Sequence, residues 1–235
     1  MTVSGVHTFS MTRDEIIREA LELTGSIDMV SPIATEIVES CARSLNLFLK
    51  AWQPAGLFLH TYQPAILPLV IDQQSYLLGP GGTATESDGI TPIIRPIKIT
   101  DVRLSYNDVE QPITKVSISE YNELTNKDNS GQPIQYAYDP QLDNARLYVW
   151  PVADNATQEI LFNYQKPVDD FTTDSDTATA AADWLQCLTL GLAYTIAPKL
   201  LVPLSEQTAL RSRYMEALDA LDDFEETSIY FKRGN

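Results

Sequence analysis

The chain has 235 residues, of which 44% are hydrophobic and 9% aromatic, so it can bury a core in one domain or in two small ones. The formal net charge of -16 excludes a protein that wraps the phosphates of nucleic acid, although it is compatible with a surface past which DNA slides and, equally, with ordinary acidic solubility. No apolar run approaches the roughly 20 residues of a membrane helix, and residues 1–10 do not resemble a secretory signal, so cytoplasmic synthesis is expected.

Two helices are predicted before the first strand. Thr12 and Glu15 have the spacing of a capping box for the first helix, which Gly25 ends. Ser31 followed by Pro32 predicts the start of the second helix. The apolar positions of this second helix recur at spacings of three and four and therefore form one stripe: Ile37, Cys41, Leu45, Phe48 and Trp52.

The two cysteines, Cys41 and Cys187, lie on apolar helical faces. Buried thiols are therefore expected rather than a disulfide, and the chain contains no CxxC motif and no set of metal ligands.

The centre of the chain is predicted to be mostly strand. Residues 57–62 and 65–71 are predicted strand-like runs, in which Pro64 and Pro68 indicate edge strands or bulges and not a central ladder, and the Gly79–Gly82 turn closes them. Later strands are separated by turn-forming residues, which favours an antiparallel β-meander or a small sandwich. These later strands are predicted at residues 97–106, 111–118, 134–138, 146–150 and 158–164.

Local signals add detail to these strands. Asn107–Asp108 predicts a tight hairpin, and residues 153–155 are expected to join two antiparallel partners, strands 146–150 and 158–164. Tyr148 and Trp150 share one face of a strand and are predicted to point inward. Residues 119–125 are expected to form a short helical turn, followed by an exposed loop over Asn126–Gln132.

Helical periodicity returns near the C-terminus. The first helix there carries Trp184, Leu185, Leu188, Leu192 and Ile196 on one stripe, and Pro198 should kink or end it. A last helix follows Ser205 and is expected to pack antiparallel to the one before it. Its apolar positions are Leu210, Tyr214, Leu218, Leu221 and Phe224.

These elements predict an α+β fold with helical pairs at the N- and C-terminal ends around a central antiparallel β-rich region. The predicted regions are N-terminal helices over residues 1–56, a β-rich centre over 57–167, a helical hairpin over 168–226 and a docking tail over 227–235.

The docking tail follows an acidic stretch and is aromatic and basic. Its large apolar side chains are too few to build a core of their own, so they are expected to bind a neighbouring subunit or another protein. The alternative is a tail that folds back on its own helix. The predicted partner-binding residues are Ile229, Tyr230, Phe231, Lys232 and Arg233. The polar loops 83–89 and 126–132 could also contact partners, or could simply be solvated.

The order of several segments resembles the head-to-tail adaptor family of short-tailed phages, also called tail accessory factors or head completion proteins. The resemblance extends from about Thr12 to about Phe224. The segments that carry it are LNLFLKAWQPAGL, SYLLGPGG, RPIKITDVRL, ISEYNEL, GQPIQYAYDP, LYVWPVAD and DWLQCLTLGLAYTIAPKL. The chain departs from its relatives at Lys199–Leu200, where an acidic and an aromatic residue are common.

The resemblance implies a structural virion protein of the neck or tail, assembled in the host cytoplasm. Many copies, commonly twelve, would form a ring beneath the portal protein and present a platform for tail nozzle or tail tube proteins. Genomic DNA would pass through the channel during ejection without specific binding. Such a protein needs no catalytic residue, metal or cofactor, but it needs heterologous surfaces that close a ring.

Two other functions remain open at this point. A virion-associated peptidoglycan hydrolase could use a pair of the chain's 32 acidic residues, although abundance does not define a site. A receptor- or carbohydrate-binding tail module is compatible with the aromatic strands. Neither His7 nor His60 lies near a Ser or Cys motif that predicts a triad, and the glycine-rich turn has no P-loop lysine.

Overall fold

The structure is a computed structural model that describes residues 9–28, 30–52, 62–177 and 182–232; for residues 182, 183 and 222–232 it describes the backbone alone. The fold is α+β, as the sequence predicts. The chain divides into two compact units. Residues 1–58 and 168–235 form a helical unit, so both terminal helical regions belong to one body, and residues 59–167 form a β unit.

Five helices are present in the described part of the chain: α1 (Arg13–Leu23), α2 (Thr35–Trp52), α3 (Ile118–Glu123), α4 (Ala182–Ile196) and α5 (Leu204–Lys232). The capping box predicted for α1 is confirmed. The Glu15 amide donates to Thr12 Oγ1 at 3.3 Å, and the Thr12 amide donates to Glu15 Oε2 at 2.8 Å. These bonds hold the charged carboxylate in place and lower the pKa of Glu15.

The start of α2 differs from the prediction. Ser31 does not cap the helix, since it lies four residues before Thr35; its amide donates to Asp28 Oδ1 at 2.8 Å in a local turn. The amides of Ile37 and Val38, in the first turn of α2, donate to the carbonyl of Ala34. Ser31 therefore belongs to a turn that Asp28 closes, and α2 begins at Thr35.

The core of the helical unit lies around α4. The predicted stripe of this helix is confirmed, since Trp184, Leu185, Leu188, Leu192 and Ile196 are all buried. The helix ends at Ile196, two residues before Pro198, which also agrees with the prediction. Both cysteines are buried, as expected.

Helix α2 contacts α4 and the segment that enters α4. A β-carbon at Gly191 of α4 would overlap the ring of Phe48, so only glycine permits this close approach. Asn46 binds the backbone of Phe171 twice, accepting from its amide at 2.9 Å and donating to its carbonyl at 3.0 Å. One turn later Lys50 donates to the carbonyl of Val168 and pairs with Asp170 at 2.9 Å.

The β unit contains eleven short or medium strands among the described residues. They are β1 (Tyr62–Pro68), β2 (Ser75–Leu78), β3 (Thr85–Glu86), β4 (Lys98–Tyr106), β5 (Val109–Pro112), β6 (Thr114–Lys115), β7 (Ser130–Gly131), β8 (Gln135–Asp139), β9 (Ala145–Trp150), β10 (Val152–Ala153) and β11 (Glu159–Gln165).

These strands form two main sheets. One has the order β3-β1-β11-β4-β5 with every pair antiparallel, and the other has the order β2-β9-β8-β6 with only the β8–β6 pair parallel. Strands β7 and β10 form a separate parallel pair. Buried side chains of both sheets belong to one apolar cluster, so the unit is a small sandwich rather than a meander.

Two strand predictions are wrong because the chain passes from one sheet to the other. Strands 146–150 and 158–164 do not pair: β9 lies between β2 and β8, whereas β11 lies between β1 and β4. The connection between β9 and β11 does not form a hairpin. Its strand β10 pairs with β7, and the Ala153 carbonyl accepts from the Asp72 amide. The predicted strand 111–118 is likewise divided between β5 and β6 at the buried Ile113.

The predicted inward direction of Tyr148 and Trp150 is also wrong. Leu147 and Val149 point into the sandwich, so their neighbours on β9 face outward and are only half-buried. The Tyr148 ring packs on Tyr121 of α3 at 4.9 Å. The Trp150 indole donates to the carbonyl of Asn126 at 2.8 Å. Both faces of β9 carry apolar side chains, so alternation alone could not identify the inner one.

Several local predictions for the β unit are confirmed. Asn107 and Asp108 both have positive φ and join β4 to β5 as a two-residue hairpin. Helix α3 overlaps the predicted helical turn, starting one residue earlier at Ile118, and begins at a second capping box, between Ser117 and Glu120. His7, His60 and most of the predicted strand 57–62 lie outside the described residues.

Candidate interaction surfaces

The predicted docking tail continues α5 instead of forming a separate segment. The α5 backbone is helical as far as Lys232, so it includes Ile229, Tyr230 and Phe231. The side chains of these four residues, and the whole of Arg233, lie outside the described part of the structure. Their role in binding a partner stays a prediction.

The two polar loops differ in character. Residues 126–132 are mostly exposed, as predicted, and are fixed at both ends: Asn126 accepts from Trp150, and Ser130–Gly131 form β7. The segment 83–89 is more ordered than the sequence indicates, because Thr85–Glu86 form β3 beside β1. The side chain of Glu86 also accepts from the Tyr164 hydroxyl at 3.1 Å.

A groove runs along α4 in the helical unit. One part, about 570 Å³, lies between α4 and α5, and a second part, about 430 Å³, lies between α4, α1 and the residues before α1. Both parts are lined by Gln186, Leu190 and Arg213, which makes them one continuous depression, called here the α4 groove. Further apolar lining residues are Phe9, Met11, Leu23, Leu185, Ala217, Ala220 and Leu221.

The sequence analysis missed this groove. Its stripe for α4 contains Leu185 but not Cys187 or Leu190, which lie on other sides of the helix and line the groove. The available signal was that α4 is apolar on nearly every side, which is typical of a helix surrounded by others. Phe9, at the rim of the groove, is 68% exposed, which is unusual for a large aromatic side chain.

Three charged side chains line the α4 groove, namely Arg213, Glu19 and Glu216. The exposed guanidinium of Arg213 forms no ion pair with any residue that the structure describes. Glu19 and Glu216 line opposite parts of the groove, and Glu216 accepts instead from the hydroxyl of Ser212 at 3.2 Å. The groove lining is therefore mixed, with apolar side chains, one guanidinium and two carboxylates.

A second apolar surface lies at the turn between α4 and α5. Leu201 is 89% exposed and Leu204 is 77% exposed, and Pro203 between them is exposed as well. These three residues are called here the hairpin tip. Leu201 has a φ of 57°, a left-handed conformation that non-glycine residues rarely adopt.

The described carboxyl groups give no support to a hydrolase site. A glycosidase acid needs a raised pKa, whereas each described carboxyl whose pKa is shifted has it lowered by nearby backbone and hydroxyl donors. These groups are Glu15, Asp28, Asp88, Glu120 and Asp176. Within the same residues, no three His, Cys, Asp or Glu side chains are close enough together to hold a metal ion.

Burial raises the pKa of the Cys41 thiol, and the nearby ammonium group of Lys199 opposes that shift only partly. A thiol with a raised pKa carries little thiolate and is a poor nucleophile. No helix among the described residues has the length and apolar character needed to span a membrane.

Comparison with known proteins gives one family. The family model described as "SU10 adaptor protein" matches residues 11–231, nearly the whole chain. No curated protein sequence matches the chain.

Proposed function

Because the chain belongs to the SU10 adaptor protein family, we propose that it is a structural virion protein that connects the portal of a phage capsid to its tail. The observation that carries the proposal is the extent of the family match, which includes both the helical and the β unit. An adaptor of this kind acts through surfaces and requires no catalytic group. The described residues are compatible with that role, since their exposed surface includes a groove along α4 and several exposed apolar side chains.

The proposed assembly is a ring of twelve copies that extends the DNA channel beneath the portal and offers a platform to tail nozzle or tail tube proteins. A ring requires two different surfaces on each copy, so that each subunit binds the next in the same way. The net charge of -16 opposes association of free subunits. We therefore expect a monomer in isolation and ring formation on the portal.

The acidic character also suits a channel. Like charge repels a passing DNA duplex, so DNA can move during ejection without binding to the wall. Specific DNA binding would instead need clustered Lys and Arg, of which the chain has 16 against 32 acidic residues.

The C-terminal tail is the proposed grip on the portal or on a neighbouring subunit. Truncation after Glu226 removes Ile229, Tyr230, Phe231, Lys232 and Arg233 together. The truncated chain is expected to fold and to bind the portal at least tenfold more weakly, since large aromatic side chains dominate binding energy at interfaces. Surface plasmon resonance against immobilised portal rings measures the change.

The matched control for this truncation ends after Arg233 and loses only Gly234 and Asn235. It is expected to bind like the full-length chain. Equal binding by both truncated forms would remove the tail from the interface, provided that circular dichroism shows the shorter form to lose no more helix than residues 227–232 account for.

The proposed function is tested in the phage itself by placing an early stop codon in the gene. Infected cells are expected to accumulate heads without tails, and supplying the protein in trans should restore complete virions. Tailed, infectious particles formed without the protein would contradict the connector role.

A further inference from the structure

We draw no further inference here: the strongest candidate, the hairpin tip that Leu201, Pro203 and Leu204 form at the turn between α4 and α5, is an unpartnered apolar surface, and nothing in the described part of the structure shows what covers it.

Discussion

Replacement of Trp52 by alanine is expected to lower the free energy of unfolding of the helical unit by about 3–5 kcal/mol, the range for removing a large buried aromatic side chain. Trp52 is 5% exposed at the end of α2. Its ring lies 4.6 Å from Phe48, 5.7 Å from Trp184 and 6.3 Å from Tyr214, and its indole donates to the Tyr214 hydroxyl at 3.0 Å. One substitution therefore opens a cavity at a contact shared by α2, α4 and α5.

Denaturant unfolding followed by circular dichroism at 222 nm, which reports mainly on helix, measures this loss. Trp150→Ala is the matched control, because Trp150 is half-buried on the outer face of β9 in the other unit. That variant is expected to leave the helical transition within about 1 kcal/mol of wild type. A Trp52 variant as stable as the control would contradict the packing described for the helical unit.

Replacement of Gly82 by alanine is expected to destabilise the β unit by about 3 kcal/mol, the upper end of the usual cost of overpacking. Gly82 ends the Gly-Pro-Gly-Gly turn after β2, and its amide donates to the carbonyl of Gly79 at 2.9 Å. An added β-carbon would overlap the backbone carbonyl of Leu77. Because the obstacle is backbone of β2 itself, the turn must shift to relieve the overlap.

Gly81→Ala is the matched control within the same turn. A β-carbon there would meet only the side chain of Asn144, at 3.2 Å, and a side chain can adjust more easily than backbone. The expected cost is about 1 kcal/mol or less. Thermal unfolding monitored by near-ultraviolet circular dichroism measures the melting temperature of each variant. Equal melting temperatures would contradict the overlap described between a β-carbon at residue 82 and the backbone of Leu77.

The sequence predicted those features that depend on nearby residues. Capping of α1 by Thr12 and Glu15 is set within one helical turn, and the Asn107–Asp108 hairpin is set by two residues that accept positive φ. The apolar stripe of α4 was also predicted, because a period of 3.6 residues identifies a buried helical face without any knowledge of the partner.

The sequence failed where distant partners decide the outcome. Strand order depends on which sheet accepts each strand, so the neighbours of β9 and β11 could not be read from the short turn between them. The direction of Tyr148 and Trp150 depends on α3, which covers part of the outer face of β9. The α4 groove needs three elements in place before it exists, so the apolar character of α4 on nearly every side could indicate neighbouring helices but not the groove between them.

The predicted partner-binding tail has a different status. Its aromatic and basic composition predicts a binding role for Ile229–Arg233, and the structure adds only that the α5 backbone is helical from Leu204 to Lys232. A continuous helix of 29 residues spans about 43 Å, long enough to carry its end well beyond the turn where it begins. We therefore propose that α5 presents the tail at one end and the hairpin tip at the other.

The measurement that tests the adaptor role most directly is the mass of the purified protein, alone and after mixing with the portal ring of its phage, by native mass spectrometry or light scattering. The proposed function predicts a monomer of 26.2 kDa that becomes part of a complex of fixed stoichiometry, with twelve copies added to each portal. A ring formed without portal would contradict assembly on the portal but would leave the proposed connector function in place. A protein that stays unbound at every ratio would contradict the adaptor function.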